Sequence, residues 1–210
     1  MRPLRTLLGA LLVLVVAGAT APPATAGARL HARQSGPAAN RMTWSETGSY
    51  LLGDSISAYA RDDIAEQRPD WTINALHGRP VADLPLLVSN LRAVDRHPSR
   101  VVIELGSNQS AGWSKDDYEE AIRRLPRTTR VLFVTPFKAP WRWGRKAART
   151  TGAYARWMNQ IAERRPHTCV VPWRARAKRH PGWLRDGLHP KPAYFSTWAD
   201  ILLKADESCH

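Results

Sequence analysis

The sequence predicts an α/β domain in which a parallel sheet is covered by helices on both faces. Three observations carry this reading. Short apolar runs alternate with stretches of helical periodicity, the order a parallel sheet imposes because each strand needs a crossover before the next. The run Arg-Val-Val-Ile-Glu-Leu at 100–105 is β-branched and bounded by Pro98 and Gly106, as a strand should be. The chain has 210 residues, 43% of them hydrophobic, which suits one domain with a sizeable core and excludes a disordered polyelectrolyte. No internal repeat or linker divides it.

The N-terminus comes first. Arg2 and Arg5 form a short basic region, residues 7–16 are an apolar run broken only by Gly9 and Ala10, and Ala24-Thr25-Ala26 fits a cleavage site before Gly27. Residues 1–26 are therefore expected to be a cleaved secretory signal. The alternative is an uncleaved anchor, against which the run is shorter than the ~20 residues a spanning helix needs. No later segment is long and apolar enough to span, so the processed chain is expected to be soluble. Residues 27–48, rich in Gly, Ala, Arg, Ser and Asn without periodicity, read as a flexible lead-in, and 49–210 as the domain.

Within the domain, residues 49–52 form a brief strand that ends at Gly53, and a helix follows over 57–67. Residues 71–75 are the second strand, and 81–94 a helix in which Pro85 argues for a break. After the strand at 100–105, Ser114 caps a helix with Asp116 and Asp117 in its first turn and Arg123 and Arg124 in its last, as the helix dipole prefers. Residues 130–135 are the fourth strand, 151–164 a helix, 168–171 the fifth strand and 194–204 the closing helix. Cys169 lies in that fifth strand and Cys209 is the penultimate residue. In an oxidising compartment they are expected to bridge and pin the tail to the sheet; the alternative is a buried Cys169 and a frayed, unpaired Cys209.

Ligands of such folds bind at the carboxyl ends of the strands, and four segments with chemical capacity fall there. They are Gly53-Asp54-Ser55-Ile56-Ser57, Leu76-His77-Gly78-Arg79, Gly106-Ser107-Asn108-Gln109, and Asp186-Gly187-Leu188-His189-Pro190. The set suffices for acyl transfer. A serine hydroxyl is a weak nucleophile and needs a base, which His189 can supply to Ser55. Asp186, three residues before His189, can fix the imidazole tautomer. The oxyanion of the tetrahedral intermediate needs preorganised donors, and the N–H groups of Ser55 and Gly78 with the Asn108 amide can provide them. Asp54 reads as a structural loop carboxylate, Ser57 is a rival nucleophile, and His77 either lines the site or is a satisfied loop histidine. No His/Cys cluster has metal-ligand spacing, so no cofactor is expected.

In order and spacing these blocks resemble the SGNH/GDSL hydrolases over residues 49–204. The resemblance implies a flavodoxin-like three-layer α/β/α sandwich with a mostly parallel five-stranded sheet. It implies metal-free ester hydrolysis with Ser55, His189 and Asp186 catalytic and Ser55, Gly78 and Asn108 in the oxyanion hole. Where many members follow the block Asn with Asp, this chain has Gln109, a variation similar to domains of polysaccharide and peptidoglycan O-acetyl transfer. Residues 191–194 after His189 also depart from the small residues common there, which bears on the pocket rim.

The substrate is less legible, because one fold serves many esters. Trp113, Trp141, Trp143, Trp173 and Trp183 fall in segments expected near the site edge. Sugar rings stack on such faces, so an acetylated glycan is the expected substrate, with Trp113, Trp141 and Trp143 lining its site. The competing reading is loop packing. No long apolar lid argues for a triglyceride lipase.

Charge remains. The chain carries 31 Lys+Arg against 18 Asp+Glu, a net +13 and a pI near 10.6, which taken alone suggests nucleic acid. Export argues against that partner. Moreover, residues 121–185 hold 17 basic residues and one acid, Glu163, so the whole excess lies in that segment. Outside a cell such a surface suits cell-wall polyanions, or is a solvated basic face. A secreted esterase or acyltransferase is thus expected, and the alternative is a catalytically weak basic module that binds wall polyanions.

Overall fold

The computed structural model describes residues 41–209. The expected signal segment and residues 27–40 of the lead-in lie outside this range. Five strands, β1 (Ser49–Gly53), β2 (Thr72–Ala75), β3 (Arg100–Glu104), β4 (Arg130–Val134) and β5 (Thr168–Val171), stand in the order β2-β1-β3-β4-β5. Every pairing is parallel, so the sheet is wholly rather than mostly parallel.

The strands alternate between two cores, as their two-residue side-chain period requires. Tyr50, Leu52, Val101, Ile103, Val131 and Phe133 point to one face, where α3 (Leu84–Val94), α4 (Lys115–Arg123) and α5 (Pro140–Ala162) pack on them. Leu51, Val102, Leu132 and Val134 point to the other. That face is covered by α1 (Ser55–Tyr59), α2 (Arg61–Gln67), α6 (Trp173–Arg179) and α7 (Phe195–Glu207). The result is the expected three-layer sandwich.

Several elements differ from expectation. The helix expected over 57–67 is two pieces, α1 and α2, parted at Ala60. Pro85 does not break a helix; it sits in the first turn of α3, where its missing N–H has no intrahelical partner to lose. The helix expected at 151–164 starts at Pro140, and Gly144 (φ +79°) kinks it. That Pro and Gly make its first half read as loop. The short helix α6 was not expected: only Trp173 and Ala177, one turn apart, face the core, and the rest is mostly basic. Trp173 is correspondingly 1% exposed and belongs to the core, not to the rim of the site. Of the lead-in, Met42 is buried in the first core and the Ser45 hydroxyl accepts from Ser49 N–H at 3.1 Å.

Cys169 and Cys209 form a disulfide, with Cα atoms 5.8 Å apart, which ties the tail beyond α7 to edge strand β5. Among the described residues no helix is long and apolar enough to cross a membrane.

Candidate active site

The strand order reverses between β1 and β3, and the crevice opened there at the carboxyl edge is where such sheets bind ligands. Ser55 follows β1 and Asn108 follows β3. At the end of β1, Gly53 leaves no room for a side chain: a β-carbon there would lie 2.6 Å from that of Ser57. Asp54 then caps α1 by accepting from Ile56 N–H at 3.1 Å, and Ser55 becomes the first residue of that helix, 5% exposed.

The loop 184–190 brings the imidazole to this serine. Leu184 and Pro190 form an antiparallel bridge that narrows the loop to a tight hairpin. Asp186 Oδ1 accepts from the N–H groups of Leu188 (3.0 Å) and His189 (2.8 Å), while its Oδ2 lies 2.7 Å from His189 Nδ1. A carboxylate only accepts, so Nδ1 carries the proton and Nε2 is left with a lone pair. Nε2 lies 2.8 Å from Ser55 Oγ. Burial pushes the Asp186 carboxyl up, but the three hydrogen bonds from His189 and Leu188 outweigh it and hold the group below its usual range. The hydroxyl, the imidazole and the carboxylate thus form one hydrogen-bonded line.

The other two blocks flank this line. Leu76 N–H donates to Gly53 O at 3.2 Å and Arg79 Nη1 to the same carbonyl at 2.8 Å, which holds the Gly78 segment against the end of β1. Gly78 has φ +74°, a conformation that favours glycine, and open space where a β-carbon would stand. Asn108 O accepts from Val81 N–H at 3.0 Å, and its Nδ2 is buried yet donates to no described residue. An unspent buried donor is costly unless something else uses it. Gln109, the departure noted above, donates from Nε2 to Ala147 O at 2.8 Å and so stitches the Asn108 loop to α5.

Four residues here were given no role from the sequence. Glu104, fully buried at the end of β3, accepts from Asp54 N–H (3.0 Å), Ser57 N–H (3.2 Å) and Ser57 Oγ (2.8 Å). Burial, and then the nearby Asp54, push its pKa well above the usual range, and burial raises that of Asp54 too. A lone acid in an apolar strand was the available signal. Arg79 faces the pair from a 3% exposed position, and burial lowers it to about 10. Tyr59, one helical turn from Ser55, packs edge-on against His189 with ring centroids 5.4 Å apart. Lys138, beyond β4, is 9% exposed with its ammonium 4.3 Å above the Trp143 ring.

The remaining candidates separate. The Ser57 hydroxyl is buried and committed to Glu104, while His77 lies against the Tyr59 ring at 4.3 Å. Trp143 donates from Nε1 to Asp186 O at 3.0 Å, and Trp141 is 67% exposed at the start of α5. Trp113 instead packs half-buried on the first core, edge-on to Tyr118. Among the described residues no cluster of His, Cys, Asp or Glu could hold a metal ion.

A family model described as the GDSL-like Lipase/Acylhydrolase family matches residues 46–194. The catalytic domain of Streptococcus pneumoniae peptidoglycan O-acetyltransferase A is similar in structure, with a TM-score of 0.68 at 24% identity, covering 79% of this chain and 96% of that one. The acetyl xylan esterase Axe2 of Geobacillus stearothermophilus aligns with a TM-score of 0.61 at 18% identity, covering 77% of this chain and 94% of its own. TesA aligns with a TM-score of 0.56 at 20% identity, covering 77% and 98%. These likenesses show a shared fold. No curated protein sequence matches at a significant level.

Proposed function

The chain belongs to the GDSL-like lipase/acylhydrolase family, and on that footing we propose that it is a secreted serine esterase acting on short acyl groups, O-acetyl esters of carbohydrate foremost. One observation carries the catalytic reading: the line from Ser55 Oγ through His189 to Asp186, with links of 2.8 and 2.7 Å. In the first half-reaction Ser55 Oγ bonds to the ester carbonyl carbon and its proton passes to His189 Nε2. The oxyanion accepts from Ser55 N–H, Gly78 N–H and Asn108 Nδ2. Collapse breaks the carbon–alkoxy bond, His189 returns the proton to the departing alcohol, and the acyl group stays on Ser55. Water, or a sugar hydroxyl, then bonds to the acyl carbon and gives its proton to His189; the carbon–Ser55 Oγ bond breaks, His189 returns that proton to Oγ, and the acid or new ester leaves. Hydrolysis and transfer share every residue and differ only in the acceptor.

The acyl-glycan preference draws support from neighbours named as a peptidoglycan O-acetyltransferase and an acetyl xylan esterase, and from the Trp faces beside loop 184–190. Export draws support from the signal-like residues 1–26 and from the disulfide, a bond that persists in oxidising compartments. The test is release of acetate from an aryl acetate and from acetylated xylan. Ser55→Ala should lower kcat by ~10³-fold or more while circular dichroism stays native. Equal, negligible rates for both proteins on every ester would overturn the esterase reading.

A further inference from the structure

A groove of about 480 Å³ runs from Lys138 and Pro140 along α5 to α6. Six cations line it: Lys138, Arg145, Arg149, Arg156, Arg174 and Lys178. None of the six forms an ion pair among the described residues, although cations elsewhere in the 121–185 segment do, Arg130 with Asp206 and Arg123 with Glu120. Arg145, Arg149 and Arg156 recur at spacings of four and seven on α5, a stripe roughly 17 Å long at 1.5 Å per residue. Gly152 leaves room between them. A β-carbon there would lie 2.9 Å from Arg174 Nη2 and 3.8 Å from Arg156 Nη1, so two guanidinium groups converge over it. Burial and then the charge of Arg156 lower the Arg174 pKa, and its guanidinium donates to Pro136 O, Ala148 O and Thr151 Oγ1 rather than to a carboxylate.

This arrangement does not serve the helix. Helix α5 contains no acid, and Arg142, Arg145, Lys146 and Arg149 occupy its N-terminal half, where the macrodipole favours negative charge. Like charges four residues apart, as at Arg145 and Arg149, cost helix stability further. The inner end is more pointed still. Lys138 is 9% exposed, and no carboxylate among the described residues lies within ion-pair distance of its ammonium; the Trp143 ring lies 4.3 Å from it, and Asp54 attracts it only from farther off. Burying an ammonium so is costly unless an anion arrives.

The groove also opens beside the catalytic candidates. Ala139 N–H donates to Gly187 O at 2.9 Å and Trp143 Nε1 to Asp186 O at 3.0 Å, so the start of α5 is bolted to the loop that carries His189. Trp141 and Trp143, 67% and 39% exposed, offer ring faces at the same end. Ring faces suit saccharide, and a stripe of unpaired cations suits repeated acidic groups. We infer that this groove binds an acidic glycan, a carboxylate-bearing polysaccharide, and leads its acylated residues to Ser55. Binding rests on the groove alone; only the delivery of an ester rests on the function proposed above.

Two measurements test this. Ser55→Ala is titrated with polygalacturonate, inorganic polyphosphate and anionic lipid vesicles, and kcat/KM of the wild type is compared on O-acetylated polygalacturonate and on neutral acetylated xylan. Polygalacturonate is expected to bind, more weakly as salt rises, and at least tenfold more weakly in Arg145→Glu/Arg149→Glu. The acidic-to-neutral ratio of kcat/KM is expected to exceed one and to fall toward one in that variant, while Arg149→Lys retains it. Should the double reversal not fold, Arg145→Gln and Arg149→Gln are read separately, each weakening binding several-fold. The inference is overturned if folded charge variants bind polygalacturonate as the parent does, if polyphosphate or vesicles bind more tightly, or if the ratio is one. If neither ester is turned over yet charge-sensitive polygalacturonate binding persists, the esterase reading fails and the groove stands.

Discussion

The buried donor Nδ2 of Asn108 and the proton-poor face of His189 Nε2 are small features with large leverage. In the proposed mechanism the amide is silent in the ground state and bonds only when the carbonyl oxygen becomes charged, which is where donors lower barriers. Asn108→Ala should therefore cut kcat by ~10²–10³-fold with KM little changed, read by steady-state kinetics on an aryl acetate. Beneath the serine, Glu104 sets a different dependence. Its folded pKa is raised by burial and by Asp54, so the stability tied to its proton is present at low pH and drains away as pH rises through the folded value. Asp186 is depressed, and its contribution is lost in the opposite direction, as pH falls through its folded value. Glu104→Gln keeps an oxygen for the Ser57 and Asp54 donors and removes the charge. Melting curves from pH 5 to 9 should show the alkaline decline of the parent flattened in this variant; an unchanged slope would remove Glu104 as its source. Ser55, Asp186 and His189 were legible because each stands in a short block of unusual chemistry. Glu104, Tyr59 and Lys138 were not, since their importance arises from what the third dimension sets beside them.

At the scale of elements, the hairpin over 184–190 decides the geometry. Gly187 has φ +76°, and a β-carbon on it would lie 2.7 Å from that of Ala139. Gly187→Ala meets both a strained backbone and a backbone-anchored neighbour, and the loop must shift away from α5. A displacement on the order of 1 Å at the imidazole costs about 10²-fold in rate, so kcat should fall by that order while far-UV circular dichroism is preserved. The strands were all legible in the sequence, because runs such as 100–105 are buried on both faces and have no other stable use. The helix starts were legible only in part: Ser114 caps α4 as expected, but the start of α5 was missed. Pro140 and Gly144 look like loop in isolation, and only packing of α5 on β5 and on the His189 loop recovers a helix there. Helix α6 buries just Trp173 and Ala177 of its seven residues, too little periodicity to detect.

For the whole molecule, the disulfide and the charge partition matter most. The bridge closes a loop of 40 residues between β5 and the tail, worth about 4 kcal/mol if its effect is to restrict the unfolded chain. Cys169→Ser/Cys209→Ser should lower stability by that order in a urea titration, with the same native spectrum. The two halves of the proposed catalytic line also come from distant parts of the chain. Ser55 and His189 are 134 residues apart, and the loop bearing His189 is held in place by α5 and by its own hairpin. A chain still being made, or threaded unfolded across a membrane, holds the hydroxyl without its base. On the proposed mechanism ester cleavage waits for the 184–190 loop to dock, so the appearance of activity times that step of folding.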